Sequence, residues 1–251
     1  KQYIGYENIL EDYVVLSWSA KSLFDSNVIG DILTPAEAQR RIQSVFAVDP
    51  QPHNADYRIL KRMWKLLDNA DVVITQNGKK FDVKKLNARF IYYGFPPPHP
   101  FHHIDTLEAC NAVMAPSSAR LGYVTKWLGL PRKMDTDFKL WQDCQRGDAK
   151  ALADMYAYGM NDTLILEDYY ALIRAWIPNH PNFSVYTNRY IDADDLTCCP
   201  ICRNIIEKKA ITGTYTTPIG NAYDSFRCSH CGTVGRKSKK RPGTPFVRRA
   251  G

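Results

Sequence analysis

The sequence predicts an α/β layer fold followed by a small cysteine-rich module. Three observations predict it. Strand-like segments come first, then a strand–helix–strand run, then helices up to about Asn182. That order suits a sheet flanked by helices. Past Phe183 the character changes, and Cys198–Gly232 holds five of the seven cysteines. A chain of 251 residues is long enough for one sizeable core plus a small module.

The elements follow in order. "ENILEDYVVLSWSAKSLF" alternates and is rich in β-branched and aromatic residues, which predicts strands around 3–10 and 13–20 with a turn near Glu11-Asp12. In "NADYRILKRMWKLLDNA", Ile59, Leu60, Met63, Trp64 and Leu67 recur at helical spacing, with Asn54 as candidate cap. "DVVITQ" reads as a short buried strand. A helix from Asp82 to about Tyr93 follows and is stopped by "GFPPPHP". "FHHIDTL" is a further strand ending at Asp105. "LEACNAVM", "ARLGYVTKWLGL" and "FKLWQDCQ" read as helices, and a long helix covers about Asp148 to Trp176. Residues 183–197 read as a linker, 198–235 as the cysteine module and 236–251 as a basic tail.

Apolar residues make up 45% of the chain and charged residues 24%, as in an ordinary globular protein. Stretches such as "YVVLSWSA" are too short to cross a bilayer, and no secretion leader opens the chain. The net charge of +7 equals the seven cations Arg236, Lys237, Lys239, Lys240, Arg241, Arg248 and Arg249. A basic tail on a near-neutral body suggests a polyanion partner; a solvated extension is the other reading.

Two stretches carry chemistry. Asp82 follows Asn77 and Gly78 at a strand-to-helix junction. It suits a helix start, where a carboxylate meets the positive end of the dipole. It equally suits a metal site at a strand's C-terminal end. In "YAYGMND", Tyr158 and Asp162 are four residues apart and share one helix face. A carboxylate there can hold a metal and a phenol can orient water; core packing and a surface charge are the plain alternatives.

Taken together, "NGKKFD", "HIDTL" and "YxxxD" occur in an order that resembles the Tyr-type DEDD 3′–5′ exonucleases of the ribonuclease H-like superfamily. The resemblance covers about Lys1 to Asn182. It is closest to members with a zinc ribbon behind the nuclease domain, a type frequent among phage-encoded proteins. It implies a ribonuclease H-like mixed sheet flanked by helices and an intracellular nuclease. It implies two Mg²⁺ or Mn²⁺ ions, with Asp82 and Asp162 as ligands, Tyr158 orienting water and Asn77 near the substrate strand. Single-stranded DNA or DNA 3′ ends are the implied substrate, with RNA an option. Asp105 is expected to be structural, capping the next helix. Arg236, Lys237, Lys239, Lys240 and Arg241 are expected to grip phosphates.

The sequence departs from the family at one place. The family's first motif is Asp-x-Glu on the first, central strand, and no such motif precedes Asp82. "KQYIGYENILEDYVVLSWSAKSL" resembles family sequence that follows the motif. A missing central strand would leave backbone groups of both neighbours unpaired, at about 1–3 kcal/mol each. The expectation is that an upstream segment or a second chain supplies strand and motif, and that this chain alone has little activity. The competing expectation is a non-catalytic nucleic-acid-binding module.

"CPIC" and "CSHC" place Cys199, Cys202, Cys228 and Cys231 in two C-x-x-C pairs with 25 residues between them. This spacing reads as a structural four-thiolate zinc site. Disulfides are the alternative, and an intracellular nuclease disfavours them. Cys110 and Cys144 read as buried thiols.

Overall fold

The computed structural model describes residues 13–23, 25–45, 55–131, 134–186, 197–206, 211–237 and 247–249. The chain divides into two compact units, Lys1–Leu107 with Ser118–Asp168, and Glu108–Ser117 with Tyr169–Gly251. The fold is mixed α/β, as the element order predicts.

In the first unit, β1 (Ser17–Lys21) pairs antiparallel with β2 (Val28–Ile32), Ser17 opposite Ile32 and Lys21 opposite Val28. The expected strand at 3–10 and its turn at Glu11-Asp12 lie outside the described residues. The second expected strand begins later than residue 13. Helix α1 (Pro35–Val45) follows β2. The pattern reading passes over β2 and α1, yet α1 has a clear start. Thr34 Oγ1 accepts from Glu37 N–H at 3.2 Å, and Glu37 Oε2 accepts from Thr34 N–H at 2.8 Å. This is a reciprocal capping box, with Pro35 at the first helical position.

Helix α2 (Tyr57–Asp68) buries Ile59, Leu60 and Leu67, the face that the spacing predicts. Its N-cap is Asp56 rather than Asn54, which lies outside the described residues. The Asp56 side chain does not cap, because it is turned inward. It is 0% exposed and accepts four hydrogen bonds. These come from Val15 N–H at 3.0 Å, Arg89 Nε at 2.9 Å and Nη2 at 2.6 Å, and the Tyr93 hydroxyl at 2.6 Å; Val15 leads into β1. Arg89 and Tyr93 belong to helix α3 (Asp82–Tyr92) and its C-cap.

One buried carboxylate thus ties α2, α3 and the segment before β1. The count is four donor groups, with the guanidinium contributing twice. Removing it would strand a guanidinium that is only 6% exposed. Asp56→Ala is expected to lower stability by about 3–5 kcal/mol, the cost of leaving a buried charge without its partner. Urea unfolding checks this, and a change under 1 kcal/mol would refute the clasp.

Between α2 and α3 runs β3 (Val72–Thr75). It pairs parallel with β4 (His102–Asp105), Val72 opposite His102 and Thr75 opposite Asp105. Among the described residues β1 and β3 each have one paired edge. All five residues of β1 and all four of β3 are only half-buried. Val72, Val73 and Ile74 are thus less covered than a doubly flanked strand requires.

Helices α4 (Thr106–Val113), α5 (Leu121–Trp127) and α6 (Phe138–Gln145) follow. Asp137 caps α6, accepting from Leu140 N–H at 2.8 Å. Helix α7 runs from Ala149 to Ile173, three residues short of the expected end. There Trp176 N–H bonds the Ile173 carbonyl at 2.8 Å in a tighter turn. Within the first unit α7 lies on the β1–β2 pair. Ser19 Oγ donates to the Gly159 carbonyl at 2.7 Å, and Lys21 pairs with Glu167 at 2.6 Å. Gly30 permits this approach. A Cβ there would sit 2.7 Å from the Trp18 carbonyl and 2.9 Å from the Tyr156 ring.

In the second unit the segment read as a linker starts with a 3₁₀ turn, Phe183–Tyr186, whose Phe183 N–H bonds the Pro200 carbonyl at 2.7 Å. The strands are β5 (Thr197–Cys198), β6 (Ile205–Ile206), β7 (Ile211–Thr216), β8 (Ala222–Arg227), β9 (Val234–Lys237) and β10 (Val247–Arg249). β5 pairs with β6, and the last four form an antiparallel sheet in the order β10-β9-β8-β7. The sheet extends past residue 235, so Arg236 and Lys237 are strand residues rather than tail.

Candidate functional site

The β3–α3 connection is built around Asp105. Its side chain is buried at 3% exposure. Oδ1 accepts from Asn77 N–H at 2.8 Å and Leu107 N–H at 3.0 Å, and Oδ2 accepts from Lys79 N–H at 3.0 Å. One carboxylate therefore starts α4 and fixes the turn that leads to Asp82. Asn77 takes a left-handed φ of 63°, a conformation that asparagine tolerates better than most residues. At Gly78 a Cβ would fall 2.5 Å from Thr75 Oγ1, so only glycine fits. Thr106 Oγ1 donates to the Thr75 carbonyl at 2.9 Å and bonds Gln76 Oε1, while Gln76 Nε2 donates to the Ala119 carbonyl at 2.9 Å. Sequence reading missed Gln76 and Thr106. The polar "TQN" directly after an apolar strand was the available signal.

Asp82 is the first residue of α3, and the N-cap is Phe81 with no side-chain cap bond. The helix-start reading of Asp82 is thus realised in the first turn, although its side chain is not the N-cap. Its carboxyl is pushed above the usual range, first by partial desolvation and then by the negative charge of Asp105. The residue is exposed, so solvent screens part of this effect. Both causes favour a proton or a cation at Asp82.

Tyr158 and Asp162 stand one turn apart on α7, both half-buried. The Tyr158 ring packs against the cluster of Cys144, Ala151, Leu152 and Met155. Beside them Ser19 Oγ and Thr163 Oγ1 are 2.7 Å apart. The structure thus joins Asn77 to Asp105 ahead of Asp82, and sets Tyr158 one turn from Asp162. Asp105 has its oxygens committed to three amides. Asp82 and Asp162 offer hard oxygen donors of the kind that suit Mg²⁺ or Mn²⁺.

The cysteine centre is compact. Among the described residues, Cys199, Cys202, Cys228 and Cys231 are the one set of three or more His, Cys, Asp or Glu ligand groups within 4.8 Å of one another. Cys199 and Cys231 sulfurs lie 3.6 Å apart, as do those of Cys202 and Cys228. Zn–S bonds of about 2.3 Å in a tetrahedron require S···S of about 3.8 Å, so the set fits the ion. All four are free thiols, and Cys198 stands outside the set.

The two pairs share one backbone pattern. Cys199 N–H bonds the Asn204 carbonyl and Arg203 N–H bonds the Cys199 carbonyl. Cys228 N–H bonds the Thr233 carbonyl and Gly232 N–H bonds the Cys228 carbonyl. Arg203 at φ 65° and Gly232 at φ 77° turn the chain after each second cysteine. The Cys202 thiol is drawn down to about 5, chiefly by its bond with the Cys199 thiol, and Cys199 is raised in turn. His230 is exposed.

Of the cations, Arg236 lies 5.2 Å from the ring centres of both Tyr215 and Tyr223 on the ribbon sheet. Lys237 ends β9, and Lys239, Lys240 and Arg241 lie outside the described residues. Sequence reading missed the two tyrosines, which stand directly opposite each other on β7 and β8.

Residues 32–174 match the model of the family RNase_H_2, described as RNase_H superfamily. The match spans more than half of the chain, and the chain belongs to this family. That membership supports a nuclease-type function. A search of curated proteins finds no match. Among the described residues no helix is long and apolar enough to cross a membrane.

Proposed function

We propose that the chain is the body of a metal-dependent 3′–5′ exonuclease of the Tyr-type DEDD group, acting on DNA. The observation that carries this reading is that a ribonuclease H superfamily domain holds Asp82 at the start of α3 after β3 and sets Tyr158 and Asp162 one turn apart on α7. Asp82 and Asp162 would hold divalent ions, which when bound would supply water activation and charge stabilisation at the leaving oxygen. Tyr158 orients the attacking water, and its ring is fixed by packing on the Met155 cluster. Asn77 presents its side chain to the substrate strand from a turn that Asp105 holds. The four cysteines hold a structural zinc, and the ribbon with its cations grips phosphates without reading bases.

Two carboxylates are too few for two ions. The half-covered β1 and β3 support a further strand carrying the Asp-x-Glu pair, from a segment of the same protein or from a partner chain. A second reading, a binding module without hydrolysis, is favoured by one observation. Among the described residues no third carboxylate joins Asp82 or Asp162 in a close ligand set.

End-labelled single-stranded DNA decides between them. Residues 1–251 alone are expected to release little nucleotide in Mg²⁺ or Mn²⁺. Addition of the strand and its carboxylates, in cis or as a partner, is expected to give stepwise shortening from the 3′ end. Full activity without that addition would mean that the catalytic carboxylates are misplaced. No activity with it, in either metal, would establish the binding module.

A further inference from the structure

Helix α5 shows two sharply different faces. Leu121, Val124 and Thr125 point inward, at 9%, 0% and 1% exposure. The opposite face carries Arg120, Tyr123, Lys126 and Trp127, all exposed. Tyr123 is 41% and Trp127 58% exposed. They are four residues apart, so the rings are neighbours one turn apart along the helix. Arg120 precedes Tyr123 by one turn, and Lys126 lies beside Trp127. No acidic residue occurs from Arg120 to Leu130. Two exposed rings alternating with two cations form a patch, unlike a single stray apolar side chain.

The patch begins at the candidate site. Gln76 lies next to Asn77, and its Nε2 donates to the carbonyl of Ala119, the residue before Arg120. Thr106 holds the other end of the same Gln76 amide. The turn that leads to Asp82 and the start of α5 are therefore fixed to each other by one side chain. A polymer that leaves the site along α5 meets a cation, a ring, a cation and a ring in succession.

We propose that the outer face of α5 is a stacking platform for single-stranded nucleic acid, with bases on Tyr123 and Trp127 and phosphates on Arg120 and Lys126. This rests on the nuclease reading above and names the surface that holds the strand outside the catalytic centre. Every base has a π-face, so such a platform grips without sequence preference. The charge sign excludes a basic partner, and the alternation of ring and cation matches the alternation of base and phosphate.

The test uses the full chain, a fluorescein-labelled oligo-dT and the same oligomer with abasic positions throughout, read by anisotropy. Wild type is expected to bind oligo-dT more tightly than the abasic strand. Tyr123→Ala and Trp127→Ala should each weaken oligo-dT binding about 5- to 150-fold and leave abasic binding nearly unchanged. Trp127→Phe should retain most of the affinity. Arg120→Gln with Lys126→Gln should reduce the salt slope by about 0.7 per cation on either strand.

If wild type binds oligo-dT and the aromatic variants bind it equally well, the platform is refuted and the nuclease reading stands. If wild type binds neither strand, the nucleic-acid reading itself fails. If Trp127→Ala converts a self-associating chain to a monomer without changing oligo-dT affinity, the stripe is a contact between copies and the proposal is overturned.

Discussion

Asp162→Ala is expected to reduce nucleotide release by about 10³-fold or more in the active assembly, with single-stranded DNA binding retained. Charge stabilisation by a bound metal is worth several kcal/mol, and each ~1.4 kcal/mol is a tenfold change in rate. The carboxylate stands on α7, whose place beside β1 is held by Ser19, Gly159, Thr163 and the Lys21–Glu167 pair. None of those contacts uses Asp162, so the helix should keep its seat. Tyr158→Phe makes a milder comparison. It keeps the ring in the Cys144–Met155 cluster and removes only the hydroxyl, for an expected loss of about 10²-fold. Single-turnover assays in Mg²⁺ and Mn²⁺ measure both. If the two variants fell equally, Asp162 would be acting as a water-positioning group rather than a metal ligand. If neither fell, α7 would have no part in the chemistry.

Zinc removal is expected to unfold the ribbon. Its core comprises Ile201, Ile206 and Phe226 with the four cysteines around them. Three apolar side chains cannot offset the conformational entropy of the segment. Metal binding, worth about 10–16 kcal/mol at such sites, would meet the deficit. Elemental analysis should find about one zinc per chain. A chelator, or Cys228→Ser, should abolish the NMR signals of folded β7–β9 while those of the Asp56–Arg89 clasp persist. A zinc-free preparation with the ribbon intact would sink this, as would a mapped disulfide among the four cysteines.

What the sequence made legible was whatever depends on spacing. The apolar rows of α2 and the two C-x-x-C pairs are short-range patterns, and the structure shows each in place. The catalytic candidates were legible as residues but not as an assembly, because the pairing of strands far apart in sequence decides where they meet. Asp56 shows the limit most plainly. From sequence it is one more acid before a helix, and Asn54 is the candidate cap. Its actual role depends on Arg89, thirty-three residues later, and on Val15. Helix α1 was missed for the opposite reason. Its apolar pattern is faint, and the evidence lay in the Thr34–Glu37 box. Tyr123 and Trp127 were visible as part of a helix, but only burial separates a core stripe from an outer one.

Among the described residues β1 and β3 each keep one unpaired edge, and this bears on solubility. An uncovered strand edge is a template for another chain, and natural proteins blunt such edges with charge, proline or a covering element. Val72–Thr75 has neither charge nor proline, reading VVIT, β-branched throughout, and among the described residues only β4 pairs with it. With no strand laid against it, this edge would invite copies of the protein to zip together. The same hydrogen-bonding groups that would admit a catalytic strand would then seed precipitation, and the companion segment would serve as a guard against aggregation as much as a source of carboxylates.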